Sequence, residues 1–143
     1  MTARKLMVLI VEDTFSNVVL LQAKLLDRQF DSTVAYNGLD ALELIDTQTF
    51  DLVLLDIMLP GIDGFEVCRR IKRHPRGSGV PVIMLTALDT ERDRSEGFAA
   101  GADDYFLKPV EDDILFGRIQ TLIGNRTTTA EAGPQAGLTI RAG

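Results

Sequence analysis

Runs of apolar residues alternate with amphipathic segments along most of this chain. Each run is short and ends at polar or turn-forming residues, which is typical of strands buried inside a parallel sheet. Three of them end at chemically useful side chains, namely Glu12-Asp13, Asp56 and Thr86. The predicted strands are residues 6–11, 32–36, 52–56, 80–85 and 105–107.

The segments between these strands have the periodicity of helices, with an apolar residue about every 3.6 positions. They predict helices over residues 15–28, 38–47, 64–73, 90–100 and 111–124. In the second helix, Leu39, Leu42 and either Ile45 or Leu44 are expected to face inward. In the first, Leu20 falls on the polar arc, opposite a broad apolar arc formed by Phe15, Val18, Val19, Leu21, Leu25 and Leu26.

A regular alternation that begins with a strand predicts an α/β protein with a parallel sheet covered on both faces. We therefore expect a single doubly wound (βα)5 domain over residues 5–124. The character of the sequence changes after Gly124, where Thr, Ala and Gly dominate without any period. Residues 125–143 are predicted to be a flexible tail or the stub of a linker.

Composition narrows the function classes. The chain has 143 residues, 45% of them hydrophobic and 25% charged, as in one globular domain. Its net charge of −6 argues against a nucleic-acid-binding surface. Cys68 is the only cysteine, which excludes an internal disulfide and suits a reducing compartment. No apolar run has the length of a membrane span, and the start does not resemble a signal peptide, so a cytoplasmic location is expected.

Polar residues follow the predicted strands at the points where the strands end. These are Glu12-Asp13, Asp56, Thr86 and Lys108. Because the carboxyl ends of parallel strands share one edge, these side chains are expected to converge there. Each alone has an ordinary explanation, since an acid can cap a helix, a lysine can be solvated and threonine often ends a strand. Their joint position at one edge favours a functional site.

Three carboxylates placed together repel one another unless a cation lies between them. The available ligands are all oxygens, from Glu12, Asp13, Asp56 and a backbone carbonyl just after Asp56, which favours Mg²⁺ or Mn²⁺ over zinc. Lys108 adds a positive charge and Thr86 a hydroxyl donor, both suited to a phosphoryl group. A nucleophilic aspartate beside a divalent cation and a lysine is what an aspartyl-phosphate intermediate needs.

Five ordered blocks of sequence resemble the receiver domain of two-component response regulators. They are Glu12-Asp13; Asp56 with Met58-Leu59-Pro60-Gly61 and Asp63-Gly64; Thr86-Ala87; the stretch Gly101-Ala102-Asp103-Asp104-Tyr105; and Lys108-Pro109. The resemblance covers roughly residues 5–124 and implies a flavodoxin-like fold with strand order 2-1-3-4-5. In wording, the chain is most similar to receivers that precede diguanylate cyclase modules.

The resemblance implies a role for each matching residue. Asp56 would accept phosphate from a phosphohistidine on a sensor histidine kinase or histidine phosphotransfer protein. Mg²⁺ would be held by Glu12, Asp13, Asp56 and the backbone carbonyl of Met58. The phosphoryl group would be bound by Lys108, Thr86 and the backbone amide of Ala87. Tyr105 matches the aromatic residue that swings inward when Thr86 is drawn to the phosphate.

Two alternatives to a phosphorylation-controlled signalling module stay open. One is a true enzyme that hydrolyses phosphate esters through an aspartyl phosphate. It would need a general acid near Asp56, but the motif Asp-x-Asp is absent because position 58 is Met. The other is a degenerate receiver used only for docking, against which the complete set of acids, Thr86 and Lys108 argues.

Two partner surfaces are expected, one for docking, indicated by the apolar Leu20 on the polar arc, and one for switching. The kinase-side partner is expected to dock on the first helix, at Leu20, and on the loop after Lys108. The switching surface is expected to comprise the fourth helix, fifth strand and fifth helix (α4-β5-α5), where a homodimer is one outcome. Asp103, Asp104 and Arg118 match charged positions that pair across that surface in receivers with winged-helix outputs, whereas Glu96 departs from that pattern. The cognate kinase and the output are not encoded in these residues.

Overall fold

The structure, a computed structural model, describes the backbone of residues 5–132 and the side chains of residues 5–124. Strands and helices alternate throughout this part of the chain. The strands are β1 (Leu6–Val11), β2 (Phe30–Ala35), β3 (Leu52–Leu55), β4 (Val82–Thr86) and β5 (Asp104–Leu107). The helices are α1 (Phe15–Asp27), α2 (Gly38–Thr47), α3 (Gly64–Arg73), α4 (Glu91–Ala99) and α5 (Asp112–Ala132).

All five strands are parallel and lie in the order β2-β1-β3-β4-β5. Val11, the last residue of β1, lies beside Leu55 of β3, and Leu55 in turn lies beside Met84 of β4. The chain therefore has the predicted α/β, flavodoxin-like fold, and the carboxyl ends of its strands share one edge of the sheet.

The interior of the sheet is apolar because its central strands are covered on both faces. Every residue of β3 and β4 is buried, whereas most of edge strand β2 is half-buried. Among the described side chains only four polar ones are buried, and three of them were predicted to belong to the site: Glu12, Asp56 and Thr86. The fourth, Asp51, accepts a hydrogen bond from the Met7 amide at the opposite end of the sheet (2.8 Å).

Local capping explains why α2, α3 and α4 begin where they do. The side chains of Asn37, Asp63 and Thr90 each accept a hydrogen bond from a backbone amide in the first turn, at 2.8, 3.0 and 3.0 Å. Such caps satisfy amides that a helix start would otherwise leave without partners. Thr90 is thus the N-cap of α4, at the residue where the predicted helix begins.

Two strands begin two residues away from their predicted starts for identifiable reasons, whereas the other strand boundaries differ by at most one residue. Strand β2 begins earlier, at Phe30, because Gln29 takes a left-handed conformation (φ 69°) that ends the α1 turn abruptly. Strand β4 begins later, at Val82, because the Val80 amide donates to the Gly77 carbonyl and Pro81 has no amide hydrogen.

The apolar arc of α1 is narrower than predicted. Val18 and Leu25 are buried, but Phe15, Val19 and Leu26 are exposed, along with Leu20 as expected. Helix α1 packs against the edge strand β2, so a narrow stripe of its surface is covered. The inward prediction is also wrong for Leu39 of α2, which is 62% exposed.

Residues up to Lys108 form one structural unit, and Pro109 begins a second one that contains α5. Leu115, Phe116, Ile119 and Ile123 of α5 are buried, and Leu122, on the same apolar arc, is half-buried. The predicted helix end near Gly124 is wrong, since α5 continues to Ala132 and Gly124 does not adopt the positive φ of a helix-terminating glycine.

The predicted tail or linker over residues 125–143 falls partly on that helix, and residues 133–143 lie outside the described part of the chain. The domain boundary at residue 124 therefore stays a prediction. In the part of the chain that the structure describes, no helix combines the length and the apolar character needed to cross a bilayer.

The left-handed Gln29 provides a prediction about stability. A non-glycine residue pays about 1–2 kcal/mol in this conformation, partly offset because glycine costs more to order on folding. Gln29→Gly should therefore stabilise the protein by about 0.5–1 kcal/mol in urea unfolding.

Gln48 is the matched control, because it also follows a helix but has an ordinary φ of −133°. Gln48→Gly relieves no backbone strain and should destabilise the protein, because glycine costs more to order on folding. Equal effects of the two substitutions would contradict the assignment of strain to Gln29.

Candidate functional site

Three carboxylates meet at the carboxyl edge of the sheet, as the sequence predicts. Glu12 and Asp13 follow β1 and Asp56 follows β3, two neighbouring strands. One carboxylate oxygen from each residue lies within 4.8 Å of the others. Glu12 and Asp56 are buried while Asp13 is exposed, so this cluster opens to solvent on one side.

Lys108 forms hydrogen bonds to two of these three carboxylates. Its Nζ donates to Glu12 Oε1 at 2.6 Å and to Asp56 Oδ2 at 3.0 Å. Burial alone would lower the pKa of the Lys108 ammonium, but the hydrogen bonds and the negative charges of the two carboxylates together outweigh burial and raise that pKa above its ordinary value. Lys108 is therefore charged at neutral pH and offsets part of the repulsion among the acids.

Two backbone amides donate hydrogen bonds to the Asp56 and Thr86 side chains. The Met58 amide donates to Asp56 Oδ1 at 3.3 Å, and the Leu88 amide donates to Thr86 Oγ1 at 3.3 Å. The two amides stand in equivalent positions, each two residues beyond the side chain that it contacts. The Met58 side chain is 58% exposed, whereas Leu88 is half-buried against the core.

The turn after Asp56 depends on a close approach of two backbone segments. The Gly64 amide donates to the Ile57 carbonyl at 2.8 Å, at the start of α3. A Cβ on Gly64 would lie 2.5 Å from the Ile57 Cα, a distance that real atoms do not reach. Only glycine permits this contact, which anchors the Asp56 turn to α3.

Tyr105 is almost completely buried, at 1% exposure. Its hydroxyl donates to the Leu88 carbonyl at 2.7 Å, in the loop that follows Thr86. Burial, as the largest cause, raises the pKa of its phenol. The resemblance places the matching aromatic residue inward when phosphate is bound, and the Tyr105 ring is inward in this structure.

Residues of α4 complete the surroundings of Tyr105, and the sequence had not singled them out for this role. The Arg94 guanidinium lies 5.3 Å from the centre of the Tyr105 ring, and the ring of Phe98 lies 6.5 Å away. Gly97, which lies inside α4, faces the same ring. Their i, i+3, i+4 spacing, which places Arg94, Gly97 and Phe98 on one side of a helix, is the signal that could have grouped them.

Three other titratable residues lie outside the site, namely Cys68, His74 and Asp103. Cys68 is buried in α3, where burial raises the pKa of its thiol to about 11. His74 follows α3 and contacts Asp46 at 3.0 Å, away from the acidic cluster. Asp103 accepts from Lys72 Nζ (3.0 Å) and from the Val82 amide (2.8 Å), so its carboxylate ties β4 and β5 to α3.

The donor set at the carboxyl edge fits a hard divalent cation. It consists of carboxylate oxygens that converge on one point and lack any nitrogen or sulfur partner among the residues of the cluster. The neighbouring Lys108 ammonium and Thr86 hydroxyl can both donate hydrogen bonds to an anionic oxygen. The arrangement is thus suited to a cation and a phosphoryl group side by side.

Comparison with known proteins gives consistent matches. The family model described as "Response regulator receiver domain" matches residues 8–120. Response regulator PleD of Caulobacter vibrioides is 42% identical over 115 residues, which are 80% of this chain and 25% of PleD. Transcriptional regulatory protein AfsQ1 of Streptomyces coelicolor is 41% identical over 87% of this chain and 55% of that protein.

Solved structures agree with the sequence matches. The receiver domain of sensor histidine kinase PA1611 from Pseudomonas aeruginosa, with a magnesium ion coordinated in its active-site cleft, superposes with a TM-score of 0.79 at 32% identity. The match covers 85% of this chain and 99% of that domain. The chain thus spans a whole solved receiver domain, but only a quarter to about half of the curated relatives.

Proposed function

Because this chain belongs to the response regulator receiver family of two-component systems, we propose that Asp56 is its phosphoacceptor and that the donor is a phosphohistidine of a sensor histidine kinase or histidine phosphotransfer protein. The observation that carries this proposal is the Lys108 ammonium bound to both Glu12 and Asp56 at the edge of the sheet. A buried carboxylate held next to an ammonium group is positioned to act as a nucleophile toward phosphorus. The module would act as a signalling switch rather than as a turnover enzyme.

The proposed transfer is a simple substitution at phosphorus. A carboxylate oxygen of Asp56 forms a bond to phosphorus while the bond from phosphorus to the imidazole nitrogen of the donor breaks. The nitrogen keeps the electron pair of that bond. If the other ring nitrogen of the donor carries no proton, the departing imidazole takes one from solvent. Lys108, the Thr86 hydroxyl and the Ala87 amide would bind the phosphoryl oxygens, which offsets their charge.

Glu12, Asp13, Asp56 and the backbone carbonyl of Met58 would hold Mg²⁺, or Mn²⁺, which prefers the same oxygen donors. When bound, the cation supplies positive charge that offsets the charge of the carboxylates and the phosphoryl group. The Lys108 ammonium already fills part of this role for Glu12 and Asp56. We therefore expect Lys108 to shift from Glu12 toward the phosphoryl oxygens when phosphate is bound.

Phosphorylation is proposed to change the switching surface, and within it the pairing of α4 with β5. Tyr105 links the two, because it belongs to β5, contacts Arg94 and Phe98 of α4, and is bonded to the loop after Thr86. Helix α4 has only one buried residue, Gly97, so little apolar contact resists its movement. Asp103 already pairs with Lys72, which leaves it poorly suited to an ion pair across a homodimer.

Labelling with acetyl phosphate and Mg²⁺ tests the central proposal. Mass spectrometry should find one phosphoryl group on Asp56, stable over the course of the labelling. Asp56→Asn should remove the label, since an amide oxygen is a far poorer nucleophile. Continuous release of phosphate would indicate a hydrolase instead, and the absence of any label would indicate a receiver used only for docking.

The partner is expected to dock on α1 near the site, where Leu20 is 58% exposed. Leu20→Asp should slow transfer from a phosphorylated partner about tenfold or more, because burying one leucine contributes roughly 2 kcal/mol. Labelling by acetyl phosphate, which needs no docking, should not change. The rates of both reactions are measured from the time course of label appearance on the protein.

Leu26→Asp is the matched control for this docking surface. Leu26 is equally exposed (60%) on the same helix, but it lies about 9 Å farther from the α1 N-terminus along the axis. It should leave transfer unaffected. Equal slowing by the two substitutions, or equal slowing of both donors by Leu20→Asp, would refute docking at Leu20.

The phosphorylated state is expected to be long-lived. Loss of the acyl phosphate requires a water oriented for attack on phosphorus, and neither Met58 nor Leu88 offers a strong hydrogen bond to such a water. One added hydrogen bond of about 1 kcal/mol corresponds to roughly fivefold faster loss. Met58→Asn, alone or with Leu88→Glu, should produce at least that acceleration in a label-decay assay.

Met58→Leu is the control for this effect, because it keeps an apolar side chain at the same exposed position. It should decay as slowly as the unsubstituted protein. The Mg²⁺ affinity should be the same in the unsubstituted protein, Met58→Asn and Met58→Leu, since Met58 would ligate through its backbone. A wild-type label that decays as fast as that of the double variant would show that these side chains do not protect it.

A further inference from the structure

Gly97 and Tyr105 are packed closely, although one belongs to α4 and the other to β5. Gly97 is buried. A Cβ on Gly97 would lie 2.8 Å from Cδ2 and 3.1 Å from Cε2 of the Tyr105 ring. It would also lie 2.9 Å from Met84 Sδ. Carbon atoms in proteins do not approach so closely, so any side chain larger than hydrogen at position 97 must displace a neighbour.

The two neighbours differ in how easily they can move. Met84 Sδ belongs to an unbranched side chain, which is buried but can adapt its shape within the core. The Tyr105 ring is rigid, and its position is fixed by the hydroxyl bond to the Leu88 carbonyl and by Arg94 against its face. A shift of the ring would therefore break a short hydrogen bond of 2.7 Å. The displacement falls on Tyr105.

We propose that Gly97 is a positioning residue for Tyr105: the missing side chain on α4 creates the space that the buried ring occupies. A side chain at this position drives the ring outward and releases the loop after Thr86 from its contact with β5. This positioning concerns the unphosphorylated protein and stands on packing alone. Its consequence for signalling rests on the proposed function, in which Thr86 and Tyr105 transmit the state of Asp56.

The chain offers a clean optical reporter of the ring. It has two tyrosines and no tryptophan, so Tyr36→Phe leaves Tyr105 as the only strong fluorophore. In this background, Gly97→Ala should at least double the acrylamide quenching constant of tyrosine fluorescence. The pKa of the Tyr105 phenol, which burial raises, should fall toward the ordinary value of 10.0 in an absorbance titration.

Gly117→Ala is the matched control. Gly117 also lies within a helix, but a Cβ there meets nothing within 4 Å. This substitution should leave quenching and phenol titration unchanged and should raise the urea midpoint, because alanine favours helix over glycine. Unchanged quenching in Gly97→Ala, with the protein folded by circular dichroism, would overturn the proposal.

A second pair of variants assigns the clash to the ring rather than to Met84. In a Tyr105→Val background the ring atoms are gone while Met84 is retained. Gly97→Ala should lower the urea midpoint when Tyr105 is present and raise it, as at Gly117, when Val replaces Tyr105. Equal lowering in both backgrounds would assign the clash to Met84 and refute the role of Gly97.

This design stays decisive if Gly97→Ala alone does not fold. Recovery of folding in the Gly97→Ala, Tyr105→Val double variant would support the proposal, and failure to recover would overturn it. Labelling of Asp56 by acetyl phosphate is measured separately on wild type and on Gly97→Ala. Absence of label in wild type would refute the proposed function without affecting the quenching result, so the two failures are distinguishable.

Discussion

The rest of the site depends on one electrostatic arrangement, the Lys108 ammonium between Glu12 and Asp56. Three carboxylates at one sheet edge repel one another, and two of them, Glu12 and Asp56, are buried. Lys108 offsets that repulsion and keeps the acids suited to ligate a cation. Its position is possible because β5 and β3 are both parallel to β1 and end at the same edge.

A second constraint links this edge to the surface of α4. The Tyr105 hydroxyl bonds to the carbonyl of Leu88, whose amide bonds to the Thr86 hydroxyl. Thr86 and Tyr105 are therefore connected through a single residue of the loop after β4. The buried ring needs space on α4, and Gly97 provides it. Two hydrogen bonds thus connect the Thr86 side chain at the sheet edge to the Tyr105 ring, and Gly97 provides the space in which that ring packs against α4.

Polar contacts at the opposite end of the sheet connect helices and strands to one another. Asp51 binds the Met7 amide, and Lys72 and Asp103 join α3 to the starts of β4 and β5. The two networks show why a list of charged residues does not identify function. Buried or half-buried acids occur at both ends, but only at the carboxyl edge do several of the described ones converge on one point.

The sequence by itself determined the element types, the central strands and the residues at their carboxyl ends, because periodicity and turn signals are local. Glu12, Asp56, Thr86 and Lys108 could be grouped since parallel strands share an edge. The strand order was implied only by family resemblance. Contacts between residues far apart decided the rest: Lys108 pairs with Glu12 across 96 positions. The exposure of Phe15 and Leu39, the ion pair of Asp103 and the space beside Gly97 likewise depend on which surfaces meet, which no local pattern records.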